Sequence, residues 1–86
     1  MAETNDLSKL PNIGKALAKK LVEIDINSID DFSKISTKDI FLRLRMVDNT
    51  ACKSTLYAIE GAKRGIRWHG LEETTKSELN SFFNSL

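Results

Sequence analysis

The sequence predicts an all-α fold, a small bundle of five or six helices, and three observations carry that prediction. Apolar residues recur at helical spacing along almost the whole chain, and strand-like alternation is nearly absent. One proline and four glycines are the only strong interruptions in 86 residues. Hydrophobic residues at 41% and charged residues at 29% suit a folded core, and the length suits one domain.

Residues 6–9 read as a short helical turn capped by Asn5 or Asp6, with residues 1–5 expected to be flexible. Leu10-Pro11-Asn12-Ile13-Gly14 is a tight connection. A helix over 15–24 places Leu17, Leu21 and Ile24 on one face. Asn27 or Ser28 caps a short helix over 28–34 that turns Ile29 and Phe32 inward, with Ile35 just beyond. Ser36 and Asp39 have the spacing of a capping box, bonded in both directions, ahead of a helix over about 37–46 that buries Ile40, Phe41 and Leu44. The longest helix is expected from about 49 to 66, with Cys52, Leu56, Ile59 and Ile66 on its apolar face and Gly61-Ala62 small enough for another helix to approach. Gly65 and Gly70 bracket its exit. A last helix from about Thr74 carries a core stripe of Leu79, Phe82, Phe83 and Leu86. Asp6-Leu7-Ser8-Lys9-Leu10 and Asp31-Phe32-Ser33-Lys34-Ile35 echo one another, which suggests two related helix–turn–helix units.

The segment from Leu10 to Leu21 resembles a helix-hairpin-helix motif, whose hairpin commonly reads Leu-Pro-Gly-Ile-Gly. Pro11 fixes one φ and stops the first helix. Position 12 needs a positive φ, which Asn tolerates best after Gly, so Asn12→Gly is expected to be neutral or mildly stabilising and Asn12→Val harmful. Ile13 plugs the core. Gly14 turns the chain and leaves bare amides at the start of the next helix, where a phosphate oxygen fits beside Lys15, Lys19 and Lys20. Helix-hairpin-helix units also serve purely as protein-interaction scaffolds, so this reading stays open beside DNA contact.

Further along come Phe41-Leu42-Arg43-Leu44-Arg45, then Leu56-Tyr57-Ala58-Ile59-Glu60-Gly61-Ala62, then Arg64-Gly65-Ile66-Arg67-Trp68-His69. With the hairpin ahead of them, in that order, the chain resembles the C-terminal domain of TfoX/Sxy-type competence regulators over about residues 7–83, and 1–86 is taken as a single domain of that kind. The resemblance implies a helical fold and a link to transcriptional regulation of DNA-uptake genes, and it supplies no catalytic residue. In full-length regulators of this kind another domain comes first. These residues begin almost at the hairpin, so the fold is expected and the competence role is left open.

The inventory excludes most chemistry. One histidine and one cysteine offer neither a metal-ligand set nor a nucleophile–base pair, and no Gly-rich phosphate loop is present, so no enzyme, metal or cofactor is expected. Cys52 has no internal disulfide partner and is read as a small core residue. No apolar run has the length of a membrane span, and Met1 to Asp6 is unlike a signal peptide, so a cytoplasmic location is expected.

The net charge of +1 hides a basic stretch: residues 43–67 hold Arg43, Arg45, Lys53, Lys63, Arg64 and Arg67 against Asp48 and Glu60, a local balance of +4. That stretch is either a phosphate-facing surface or a solvated helix end. Trp68 and His69 are either an exposed partner contact or, on the blander reading, a packed ring and a helix-end cap. The candidate nucleic-acid residues are therefore Asn12, Gly14, Lys15, Lys19, Arg43, Arg45, Lys63, Arg64 and Arg67, and the candidate partner contacts Trp68 and His69. The expected function is a non-enzymatic regulatory binding module holding duplex DNA through phosphates. The alternative is a module for a regulatory protein with no nucleic-acid contact. Neither reading involves a membrane or a small-molecule substrate, and the sequence leaves the oligomeric state open.

Overall fold

The computed structural model describes residues 7–86. The described residues are all-helical and contain no strand. Leu7 and Ser8 are helical, and the caps expected at Asn5 or Asp6 lie outside the described residues, as does the expectation for 1–5. Five helices follow: α1 (Lys15–Glu23), α2 (Ile29–Lys34), α3 (Thr37–Val47), α4 (Lys53–Arg64) and α5 (Glu73–Asn84), with a 3-10 turn (Trp68–Gly70) before the last.

Helix α4 is the hub. It packs against α3, the 3-10 turn and α5, while α1 lies on α3. The core takes Leu7 and Ile13 from the hairpin unit, Leu21 from α1, Phe32 from α2, Ile40, Phe41 and Leu44 from α3, Leu56 and Ile59 from α4, and Leu79 from α5. The echoed segments match in burial, since Leu7 and Phe32 are both withdrawn from solvent.

Each boundary has a local cause. Ser28, not Asn27, caps α2 by accepting from the Asp31 amide at 3.1 Å, and the Asp31 carboxylate reaches back to the Asn27 amide. Ser36 caps α3 by accepting from the Asp39 amide at 3.2 Å. The return bond expected of a full box is not made among the described residues. Helix α4 starts four residues later than expected. The Asp48 carboxylate accepts from both the amide and the hydroxyl of Thr50, and this Asx turn holds residues 49–51 out of the helix. Cys52 consequently sits at the N-cap, exposed, and is not the core residue that its spacing suggested.

At its other end α4 closes with Gly65 at φ 73, its amide on Ala62 O and the Ile66 amide on Gly61 O. Ile66 therefore leaves the helix and is 40% exposed, another departure from the expected apolar face. Helix α1 ends in the same pattern with Asp25 at φ 68, its amide on Val22 O and the Ile26 amide on Leu21 O. That closure buries Ile26 completely. Ile29 and Leu86, expected inside, are exposed at 39% and 51%. Among the described residues no helix is long and apolar enough to cross a membrane.

Two outcomes follow. Ser36→Ala should cost about 1 kcal/mol in urea unfolding, the usual worth of an N-cap hydroxyl. Asp48 also accepts from the Lys20 ammonium at 2.5 Å, and this bond, with those from Thr50, holds its carboxyl down from an ordinary 3.8 to about 2. A depressed folded-state value stabilises above the ordinary pKa and is lost as pH falls through the folded one. The melting temperature should therefore fall from about pH 4 to about pH 2 more steeply in the native chain than in Asp48→Asn.

Candidate nucleic-acid interface

The hairpin is organised by residue 12. Asn12 has φ 70, the positive value that the motif demands. Its side chain, however, turns inward. Nδ2 donates to Ile66 O at 2.9 Å and to Ala58 O at 3.4 Å, and Oδ1 accepts from the Trp68 amide at 3.1 Å. The amide thus joins the hairpin to α4 and to the segment entering the 3-10 turn. A glycine would keep the φ and lose all three bonds, so the expectation that glycine is neutral or better at this position is overturned.

Gly61 completes the joint. A Cβ there would lie 2.6 Å from Asn12 Nδ2, 2.9 Å from Ile66 O and 3.0 Å from Trp68 Cα. What approaches this small residue is the hairpin and the 66–68 backbone, not the second helix that the sequence suggested.

Gly14 is different. Its φ of −90 is open to any residue, and a Cβ there would meet nothing within 4 Å. The turning is done at Asn12; position 14 is the N-cap of α1, where glycine is favoured over alanine because a bare backbone leaves the first amides open. Helix α1 begins here with no side-chain cap and no acidic residue in its first turn, so its leading amides face outward. Lys15 and Lys19 are exposed on the same helix and make no hydrogen bond or ion pair with any described residue. Lys20 is instead engaged by Asp48. Through the Asn12 joint, the exposed Arg67 and the half-buried Trp68 stand next to the hairpin. An open cleft of about 350 Å³ runs between them, lined by Ala16, Leu17 and Lys20 of α1, by Ser54 and Thr55 of α4, and by Trp68.

The other basic candidates are spread elsewhere. Lys63 is half-buried and donates to Phe32 O at 2.6 Å, with its ammonium 4.8 Å from the Phe32 ring centre. Burial lowers its pKa, against an opposing pull from Glu60. It closes the end of α2. Arg64 donates to Glu60 at 2.7 Å, and Thr37 donates to the other Glu60 oxygen at 2.6 Å. Burial pushes Glu60 up, but these two bonds outweigh it and leave its pKa below the ordinary range. Arg45 lies 5.9 Å and 5.8 Å from the ring centres of Phe41 and Phe83, drawn toward α5, while Arg43 is exposed on α3. The +4 stretch therefore does not form one patch.

His69 is exposed and stacks on Trp68 at 4.0 Å, and Tyr57 packs near Trp68 at 5.6 Å while donating to Lys76 O. No group of histidine, cysteine or carboxylate side chains able to hold a metal occurs among the described residues.

Residues 3–83 match the TfoX C-terminal domain family. The chain belongs to that family. Two crystal structures from Listeria monocytogenes are also similar to this TfoX C-terminal domain, each at 47% identity over 92% of its length. One, in a triclinic form, is of an uncharacterized protein covered over 90% of its chain, with a TM-score of 0.89. The other, in a tetragonal form, is of a protein of unknown function covered over 96%, with a TM-score of 0.88. A comparison with curated proteins gives no match.

The joint should be visible in stability. Asn12→Gly is expected to destabilise by about 1–2 kcal/mol, the net worth of three bonds of which two are part-buried, despite the relief at φ. Gly61→Ala should cost a similar amount, about 1–3 kcal/mol, because two of the three atoms in its way are backbone and cannot step aside. Chemical denaturation of both variants measures this, and equal stability to the native chain would exclude the clamp.

Proposed function

We propose that this TfoX C-terminal domain is a non-enzymatic regulatory module of the cytoplasm that holds duplex DNA through phosphate contacts at its hairpin. The observation that supports this reading best is Gly14. Neither packing nor φ requires glycine there; it caps α1 better than alanine would, and its bare backbone lets a phosphate oxygen reach the amides. Lys15 and Lys19 add charge on the same helix, and Arg67 adds it from the adjoining turn. Such a surface contacts backbone and reads no bases, so binding is weak and indifferent to sequence. Arg43, Arg45, Lys63 and Arg64 drop out of the interface, because they are engaged internally or carried on another face. A regulator built this way takes its sequence specificity from a partner.

Fluorescence anisotropy with a duplex of arbitrary sequence tests this. Gly14→Ala should cost no more than about 1 kcal/mol, alanine being the poorer N-cap, leave the protein folded, and weaken binding. Neutralising Lys15, Lys19 and Arg67 should flatten the dependence of log affinity on log salt by about one unit per lost phosphate contact. Neutralising Lys63 and Arg64 should leave that slope alone. Absence of binding at high micromolar protein in low salt rules the reading out.

A further inference from the structure

Helix α3 is apolar on two opposite faces. Ile40, Phe41 and Leu44 point into the core and are essentially inaccessible. Leu42 and Met46, one turn apart on the outer face, are 42% and 85% exposed, with Val47 beside them at 46%. Basic residues border the stripe. Arg43 lies on one side, and Lys38 and Arg45 lie on the other, toward the Phe82 and Phe83 rings of α5. Lys53 reaches the Phe83 ring from α4. The one carboxylate of α3, the exposed Asp39, lies in its first turn, at the N-terminal end of the same outer face as Leu42 and Met46. Residues 40–47, 49–59 and 79–86 contain no acidic side chain.

We infer that the outer face of α3 is a docking surface for an acidic amphipathic helix of a partner protein. The apolar stripe supplies a seam for residues spaced one turn apart, and the flanking cations match carboxylates along the partner's edges. A second copy of this chain is disfavoured as occupant. A twofold contact would set Arg43 and Arg45 against their own counterparts. DNA is a poor match as well, since the centre of the surface is Leu42 and Met46, which gain nothing from phosphate. This inference is independent of the hairpin.

The test uses the whole chain, isotopically labelled for amide NMR. The probe is a synthetic peptide of about five helical turns, with leucines along one face and glutamates beside them. A shuffled peptide of the same composition is the control. The leucine-faced peptide should shift the amides of Leu42, Arg43, Met46 and Val47. Met46→Glu, at an exposed site where folding is unaffected, should weaken it at least about tenfold, while Gly14→Ala should not. Several results would overturn the inference: no shift on α3 at about 1 mM peptide, equal binding of the shuffled peptide, or an unchanged affinity in Met46→Glu. Shifts on α3 produced by duplex DNA or by anionic phosphatidylglycerol vesicles in place of the peptide would also overturn it, as would self-association through this face. The readout lies on α3, so failure of DNA binding at α1 and failure here are separable results.

Discussion

Residue 12 has to meet two demands at once. Its backbone must sit at φ 70 to reverse the chain between the helical turn at Leu7–Ser8 and α1. Its side chain must also reach carbonyls and an amide that belong to α4 and to the segment before the 3-10 turn. Glycine satisfies the first demand and cannot satisfy the second. Asparagine is among the few side chains that tolerate the left-handed region, and it carries both a donor and an acceptor. The rest of the arrangement leans on this residue. Gly61 must stay bare for the amide to fit, and Arg67 and Trp68 stand beside α1 because the amide holds them there. The link spans more than fifty residues of sequence, so it closes a long loop around a small core.

The fate of the basic residues shows why net charge says so little about this chain. Of the cations grouped in sequence between 43 and 67, Lys63 seals the end of α2, Arg64 is held by Glu60, and Arg45 lies along aromatic rings. Each is occupied in packing or pairing. Proximity in sequence does not become proximity on the surface, because a helix turns successive residues to different faces. Meanwhile the backbone around Arg67, at the far end of the same stretch, is held against the hairpin residue Asn12 near the other end of the chain. The charge beside the hairpin is thus drawn from two distant segments, while Arg43 stays exposed on α3.

Much of the fold was legible from the residues. The helices around Leu21, Phe41, Leu56 and Leu79 follow from spacing, and the positive φ at residue 12 follows from the hairpin pattern. The missed boundaries share one physical cause. Short polar side chains bonded to nearby backbone redirected the chain where apolar periodicity suggested continuation. Asp48 holds Thr50 and delays α4, so Cys52 moves from the expected core to an exposed cap. Asp25 takes a left-handed conformation more usual for glycine, and the turn it makes buries Ile26, which no periodic pattern includes. The candidate site was legible in its local part, Gly14 to Lys19, and illegible in its tertiary part. The inward turn of Asn12 depends on acceptors that only the folded chain supplies.

Helix α3 shows most clearly that folding alone does not account for the sequence. A domain of this size has a limited core, and a side chain as exposed as Met46 adds almost nothing to it by burial. The position could hold a charged residue at no cost to packing, and α3 already carries Arg43 and Arg45 close by. Burial therefore explains Ile40, Phe41 and Leu44, explains Leu42 in part, and leaves Met46 without a role inside the molecule. Gly14 on α1 is different, since it serves the fold as an N-cap and also leaves the leading amides bare. Both positions are exposed, and their chemistry differs. At the hairpin the exposed groups are amides and cations, suited to phosphate. On α3 they are methyl and thioether groups edged with cations, suited to a helix that brings its own carboxylates. Two faces of unlike chemistry on so small a domain would let it hold one partner by charge and another by shape, as the two proposals together require.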